Sequence, residues 1–457
     1  MSTYTFRAPG KLVLIGEYGV LDGAGAIVAA VNHGVTCRHT PGPLAWVTPG
    51  DDTFVRAALA GLPDDAGQFA FGDWNPVDLS ASGPPAGGAS GVPAGQRAKP
   101  GFGGSAAATV AAVLASGKEP LSAFDIHKAV QGGGSGVDVF ASLNGGVRRF
   151  PDGGLVPPPH FAAVWSGRSA ATGPRVRQYQ AWKGRRSFVQ DSHALVEGFA
   201  LSPVAATKEA WHLLRGMTRA AGIDYETPEH AHIVALAERF GGAAKPSGAG
   251  GGDIAVAVFP EPASRAAFCG FAASSGLTVI PCEIAEPAGL WAMHGSLVDL
   301  LPFTPERLAL ALQDREGLAR SIEAKVPGSW PQPDYAAVMK VLAQRWARDP
   351  GEAWWAWLVT ERATRTLIGE IGGKIGPNRR GELEFGYAIV PECRGRGLAR
   401  DAAAVFVEWA RGESDVKHLL AECLEGNEAS KRVLQGVGLR EVGGVVEGGQ
   451  RVLRWRG

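Results

Sequence analysis

Three glycine clusters carry most of the chemistry legible in this chain. In KPGFGGSAAATVAAV (99–113), Gly101, Gly103 and Gly104 let a backbone approach a ligand closely, Ser105 offers a hydroxyl, and the alanines from Ala106 onward propagate a helix. Free N–H groups and the positive end of the helix dipole then face the turn, which suits a nucleotide polyphosphate. A second cluster, QGGGSGVDVF (131–140), holds Ser135 and Asp138 in what reads as a loop entering a short apolar segment. A carboxylate there either reaches a reacting hydroxyl and a nearby cation or caps its own turn. The third, KPSGAGGGD (245–253), ends on Asp253 ahead of the strand-like IAVAVF. Lys11 follows Pro9 and Gly10 at the head of an apolar run, placed to meet a phosphate or to be solvated at a strand edge.

Elements are needed to hold these groups. Leu12–Ile15 and Ile27–Val31 read as strands flanking a tight polar connection, 121–131 as a helix, and 206–221 and 231–240 as amphipathic helices. Residues 80–101 are Gly, Pro, Ala and Ser with almost no large apolar side chain, an exposed loop that either covers the nucleotide or is a surface insertion. Between Gly153 and Gln190 there is no Asp or Glu, while Arg168, Arg175, Arg177, Lys183, Arg185 and Arg186 all fall inside; an anionic small substrate and a solvated basic face both account for it.

At 457 residues, two domains or more are expected. Lys plus Arg and Asp plus Glu are 45 each, so no net field attracts nucleic acid or an anionic membrane surface. The expected partners are therefore small molecules, with homodimerisation open. No apolar run approaches a membrane span and the first 21 residues do not read as a signal peptide, which predicts a cytoplasmic protein. Five cysteines stand singly, the pattern of buried reduced thiols rather than of a zinc site or disulfide framework.

Taken together and in order, APGKLVLIGEY (8–18), KPGFGGSAAA (99–108) and KPSGAGGGD (245–253) resemble the three motifs of the GHMP kinases, most closely the phosphomevalonate kinases. The resemblance implies ATP and Mg²⁺, with the γ-phosphoryl group passing to mevalonate 5-phosphate. By position, Gly101 to Ser105 and Ala106 would cradle the phosphates and Ser105 would ligate Mg²⁺. Asp138 and Lys11 would sit at the reaction centre, and Ser135, Lys245, Ser247, Gly248, Gly250 and Asp253 would face the substrate. Two departures stand out: Gly104 replaces a serine, and His127 and Gln131 stand where mevalonate kinases place a metal-binding Glu.

From about His294 the pattern changes. WWAWLVT, LIGEIGG and ELEFGYAIV read as an antiparallel meander, followed by the turn Arg394–Ala399 into a helix, a strand HLLAECL and Asn427 at the head of a last helix. Arg394, Gly395, Arg396, Gly397 and Ala399 present N–H groups and two guanidiniums at a helix start, again an anion site. This half resembles the GNAT acetyltransferases through its RxxGxA signature (Arg394, Gly397, Ala399). That implies acetyl-CoA on the 394–399 turn and attack of an amine on the thioester. Glu384 or Glu382 offers a water-mediated base, or a solvated carboxylate. The family's tyrosine near the last helix is replaced by Leu434, leaving Tyr335 and Tyr387 in this half.

The fold expected is therefore α+β: a GHMP kinase of two α/β subdomains over 1–293 and a GNAT mixed-sheet domain over 294–457. Three alternatives stay open: a kinase acting on mevalonate or another small alcohol, a C-terminal domain that senses acetyl-CoA without catalysis, and a fusion of two unrelated activities.

Overall fold

A computed structural model describes residues 2–77 and 101–457. Of the expected cover at 80–101, all but Gly101 therefore lies outside the described residues, including Lys99 and Pro100 of the second motif. The chain forms two compact units. The N-terminal unit comprises Phe6–Cys37 and Leu44–Gly289; the C-terminal unit comprises Leu290–Gly457 together with Met1–Thr5 and Arg38–Pro43. The expected division at 293/294 thus falls within the strand Gly289–His294, which belongs to the C-terminal unit from Leu290 on.

In the N-terminal unit the two apolar runs lie in the strands Thr3–Ile15 and Ala26–Thr40. The short strand Val147–Phe150 lies antiparallel on the second of these, with Ala26 opposite Phe150 and Ala29 opposite Val147. The alanine-rich segment becomes the helix Gly104–Ala115. Its small side chains bury Ala106, Ala107, Val110, Ala111 and Val113 in one cluster with Ala58, Phe69 and Val139, close packing that larger residues would prevent.

A second sheet has the strand order 243–246, 254–259, 160–165, 278–280, with every pairing antiparallel. The two amphipathic helices run over Pro203–Ala221 and Pro228–Arg239. Each starts earlier than hydrophobic periodicity predicts because a proline at the first helical position fixes φ without losing a needed N–H. The last strand of this sheet, Thr278–Ile280, stops where Pro281 removes the next ladder donor.

In the C-terminal unit, strands Ala356–Glu361, Thr366–Gly373 and Glu382–Ile389 form the expected antiparallel meander, and Val298–Pro302 adds a further antiparallel strand on Ala356–Glu361. The first tryptophans of WWAWLVT are not in it: Pro350–Trp355 is a 3₁₀ turn capped by Asp349, so the strand begins at Ala356. Glu382–Ile389 pairs in parallel with His418–Leu424 through Glu382–Glu384 opposite His418–Leu420. A long aromatic core that includes Phe303, Trp330, Trp357, Phe385, Phe406 and Trp409 fills this unit. All five cysteines are free; Cys37, Cys282 and Cys423 are buried, Cys269 and Cys393 half-buried. Among the described residues no helix is long and apolar enough to cross a membrane.

Candidate functional site

The strand Thr3–Ile15 presents Lys11, and its backbone N–H donates to Phe102 O at 2.8 Å, tying the strand to the second motif. The N-cap of Gly104–Ala115 is Gly103, at φ 75°. A β-carbon there would stand 3.2 Å from Lys11 Cγ and 3.7 Å from Asp138 Cβ, so lysine and aspartate flank the turn. Lys11 Nζ and Asp138 Oδ1 are 3.7 Å apart. Asp138 does not lie in a loop as its glycine neighbours predict. It occupies the first turn of the helix Val137–Asn144, entered through Gly136 at φ 80°, because a left-handed glycine is itself a helix N-cap here rather than a continuation of the loop. Ser135 Oγ accepts from Val137 N at that same entry.

Ser105 Oγ is 3.3 Å from His127 Nε2. Burial holds the His127 imidazole below its ordinary pKa, with the Asp138 charge acting in the opposite direction. The expected cofactor contact at Ala106 is not built: its side chain is in the core and its N–H bonds Gly103 O, leaving Gly104 and Ser105 at the mouth of the turn.

The third glycine loop closes on the same place. Ser247 Oγ accepts from Val13 N at 2.9 Å and donates to Val13 O at 3.2 Å, fastening the loop to the Lys11 strand. A β-carbon on Gly248 would lie 3.8 Å from Lys11 Nζ, and one on Gly101 would lie 2.7 Å from Asp253 Cβ. Asp253 takes φ 57°, unusual for a non-glycine residue. Its carboxyl accepts from Ala170 N, and burial pushes its pKa up to about 6 against the pull of that N–H and of Lys11.

Lys245 is not presented to a substrate. It is fully buried and its ammonium is paired with Glu17. Burial lowers its pKa while the carboxylate opposes that shift. Lys245 and Ser247 are therefore loop-positioning groups.

Glu17 and Tyr18, the last two residues of the first motif, were given no role of their own there and join them. Gly248 N donates to Glu17 Oε1 at 3.4 Å, and Tyr18, strained at φ 61°, donates its hydroxyl to Ala249 O at 2.7 Å. The GEYG run directly after an apolar strand was their one sequence signal.

In the C-terminal unit the signature turn enters the helix Leu398–Gly412 through Gly397 at φ 80°. Its arginines are already engaged. Arg394 donates to Ile389 O and Gln332 Oε1, both at 2.9 Å, and Arg396 pairs with buried Glu361. Asn427 caps the last helix, its Oδ1 accepting from Ser430 N at 3.0 Å. Glu384 is paired with Lys374, which also reaches Glu422 at 3.3 Å, so a base there must first leave an ion pair. Glu382 is held below its ordinary pKa, first by the Asn378 amide and then by Arg456.

Two further groups were not singled out by sequence as active. Tyr387, on the strand Glu382–Ile389, places its hydroxyl 2.8 Å from Ser430 Oγ in the first turn of the last helix. Glu370 is buried, accepts from Trp330 Nε1 at 2.8 Å and is pushed up to about 7 by burial.

Residues 299–440 match the acetyltransferase (GNAT) domain family. The mevalonate kinase of Archaeoglobus fulgidus is 28% identical over 288 residues, covering 57% of this chain and 94% of that protein. The phosphomevalonate kinase of a Streptomyces species is 33% identical over 114 residues, 22% of this chain and 30% of that protein. A solved structure of the Lin0012 protein from Listeria innocua superposes with a TM-score of 0.52 at 22% identity, covering 63% of this chain and 99% of that one, a likeness of fold. The chain thus joins an N-terminal region that resembles the mevalonate and phosphomevalonate kinases of the GHMP class to a C-terminal GNAT acetyltransferase domain.

Proposed function

We propose that the N-terminal unit is an ATP-dependent kinase that converts mevalonate 5-phosphate to the diphosphate. The observation that carries it is the convergence of Lys11, Asp138 and the third loop on the Gly103 turn. An acceptor oxygen attacks the γ-phosphorus, the bond to the β-phosphate oxygen breaks, and ADP leaves. Catalysis of this step is chiefly positioning and charge neutralisation. Lys11 supplies a cation beside the transferred group, and Gly103 to Ser105 supply N–H donors to the nucleotide.

Ser105 and Asp138 are oxygen donors in this cluster, a set that fits Mg²⁺ shared with nucleotide phosphates; when bound, Mg²⁺ neutralises phosphate charge. A phosphate monoester has its second pKa near ~6 and is largely ionised at neutral pH. Asp138 then orients Lys11 and the acceptor rather than removing a proton. The 28% identity to a mevalonate kinase across nearly its whole length favours a second reading, mevalonate itself as acceptor, and there Asp138 must take the hydroxyl proton. ADP release with ATP and Mg²⁺, mevalonate 5-phosphate against mevalonate over a concentration range, separates the two: preference for mevalonate overturns the first.

The C-terminal unit, in this reading, is an acetyl-CoA-dependent N-acetyltransferase. The pyrophosphate sits on Arg394–Ala399, the amine nitrogen attacks the thioester carbon, the C–S bond breaks, and the thiolate takes a proton. Tyr387 is the hydroxyl placed at the last helix to donate it, in the stead of Leu434. Thiol release from acetyl-CoA with a panel of primary amines tests this; acetyl-CoA binding without turnover supports a sensor instead.

A further inference from the structure

The basic stretch Gly153–Gln190 resolves into residues with different fates. Arg168 is paired with Glu229 at 2.7 Å and Arg185 with Asp22 at 3.7 Å. Arg177, Lys183 and Arg186 are exposed. Arg175, on the helix Thr172–Ala181, is half-buried against the third glycine loop. Its Nε donates to Asp224 O and its Nη1 to Ala171 O, each at 2.8 Å. A β-carbon on Gly251 would collide with the guanidinium, which therefore lies directly on the loop backbone.

Two carbonyl anchors fix the plane of the fork while neutralising none of its charge, and among the described residues Arg175 makes no ion pair. A fixed guanidinium on a glycine loop, held in no ion pair, is what bidentate recognition of a carboxylate requires. The loop also sets the distance. Gly248, at one end, faces Lys11 Nζ, and Gly251 is three residues on, at most about 10 Å along the chain. The Arg175 charge is felt at Asp253, which touches Gly101 of the phosphate turn.

We propose that Arg175 receives the carboxylate of the acceptor, the end opposite the group that takes the phosphoryl, and so selects an acid over a neutral compound of the same length. This rests on the kinase reading above. Under it the reacting phosphate lies at Lys11 and the remaining anion of the substrate is the carboxylate.

The test is steady-state kinetics of the full chain with two acceptors, mevalonate 5-phosphate and its carboxamide analogue, for wild type, Arg175→Ala and Arg175→Lys. Loss of a charge-assisted pair predicts a 10- to 100-fold rise in KM for the acid in Arg175→Ala. A smaller rise is expected in Arg175→Lys, which keeps charge but not the fork. KM for the carboxamide should change less than threefold, and KM for ATP should stay within twofold as a check that the loop is intact. An unchanged KM for the acid overturns the proposal, and so does an equal rise for acid and carboxamide, which would mark Arg175 as a loop brace. Absence of wild-type turnover with the acid overturns the kinase reading itself and this assignment with it.

Discussion

Two turns in this protein open helices from nearly the same backbone: Gly103 at φ 75° before Gly104–Ala115, and Gly397 at φ 80° before Leu398–Gly412. Locally each offers the free N–H groups and the dipole that suit an anion. Their surroundings are not alike. The first turn has no charged residue of its own among the described residues and draws Lys11, Asp138, Gly248 and Asp253 from distant parts of the chain. The second carries its own arginines and spends them on Ile389, Gln332 and Glu361. The contrast teaches that a helix start supplies only N–H donors and a dipole, while reaction chemistry depends on what the rest of the fold brings to it.

The largest effect that would break this comparison is at Asp138. Asp138→Asn should cost about a thousandfold in kcat with mevalonate, where a base is required, but less than about tenfold with mevalonate 5-phosphate. A loss of several orders of magnitude with the phosphorylated acceptor would refute the orienting role. Acetyl transfer by the same variant serves as the internal control and should not move.

Matched glycine substitutions sharpen the contrast. At Gly101, φ is 88° and a β-carbon would meet Asp253 at 2.7 Å; at Gly395, φ is 75° and nothing lies within 4 Å. Gly101→Ala should therefore lower kinase kcat/KM on the order of a hundredfold, from strain plus a displaced loop. Gly395→Ala should weaken acetyl-CoA binding by about tenfold or less, from backbone strain of ~1 kcal/mol alone. Equal effects in titration and kinetics would mean the two turns are equally isolated. Tyr387→Phe comes next, with kcat for acetyl transfer about tenfold lower and acetyl-CoA affinity unchanged; unaltered turnover would remove the hydroxyl from the reaction.

The smallest effect is on stability. The Glu370 carboxyl is raised by burial from 4.5 to about 7, so the folded protein holds its proton more tightly than the unfolded chain. Its contribution is fully present below pH 4.5 and is lost as pH rises through about 7. Glu370→Gln does not titrate. Its melting temperature should match wild type near pH 5 and exceed it by a few degrees at pH 8; parallel curves would show that the carboxyl is not perturbed.

Much of the architecture was legible because it is local. Glycine turns before apolar runs and the period of the meander strands are each decided by a few neighbouring residues, whereas the prolines that open 203–221 and 228–239 lie outside the stretches that the hydrophobic period marks. Lys245 was expected to face the substrate from its place in the third motif, and only its burial against Glu17 shows the charge consumed internally. Glu370 was invisible in the strand LIGEIGG, since a carboxylate in a strand reads as solvent-facing until Trp330 is packed over it.

The sequence by itself determined the glycine turns that open two helices and which two family patterns the chain resembles, because these depend on φ preferences and short spacings. Only the tertiary structure decided which charges remain unspent. Lys11 keeps Asp138 as a loose partner, Arg175 keeps its charge, and Lys245, Arg168 and Arg396 lose theirs to Glu17, Glu229 and Glu361. Pairing between residues far apart in sequence depends on distance in space, and no local rule carries that distance.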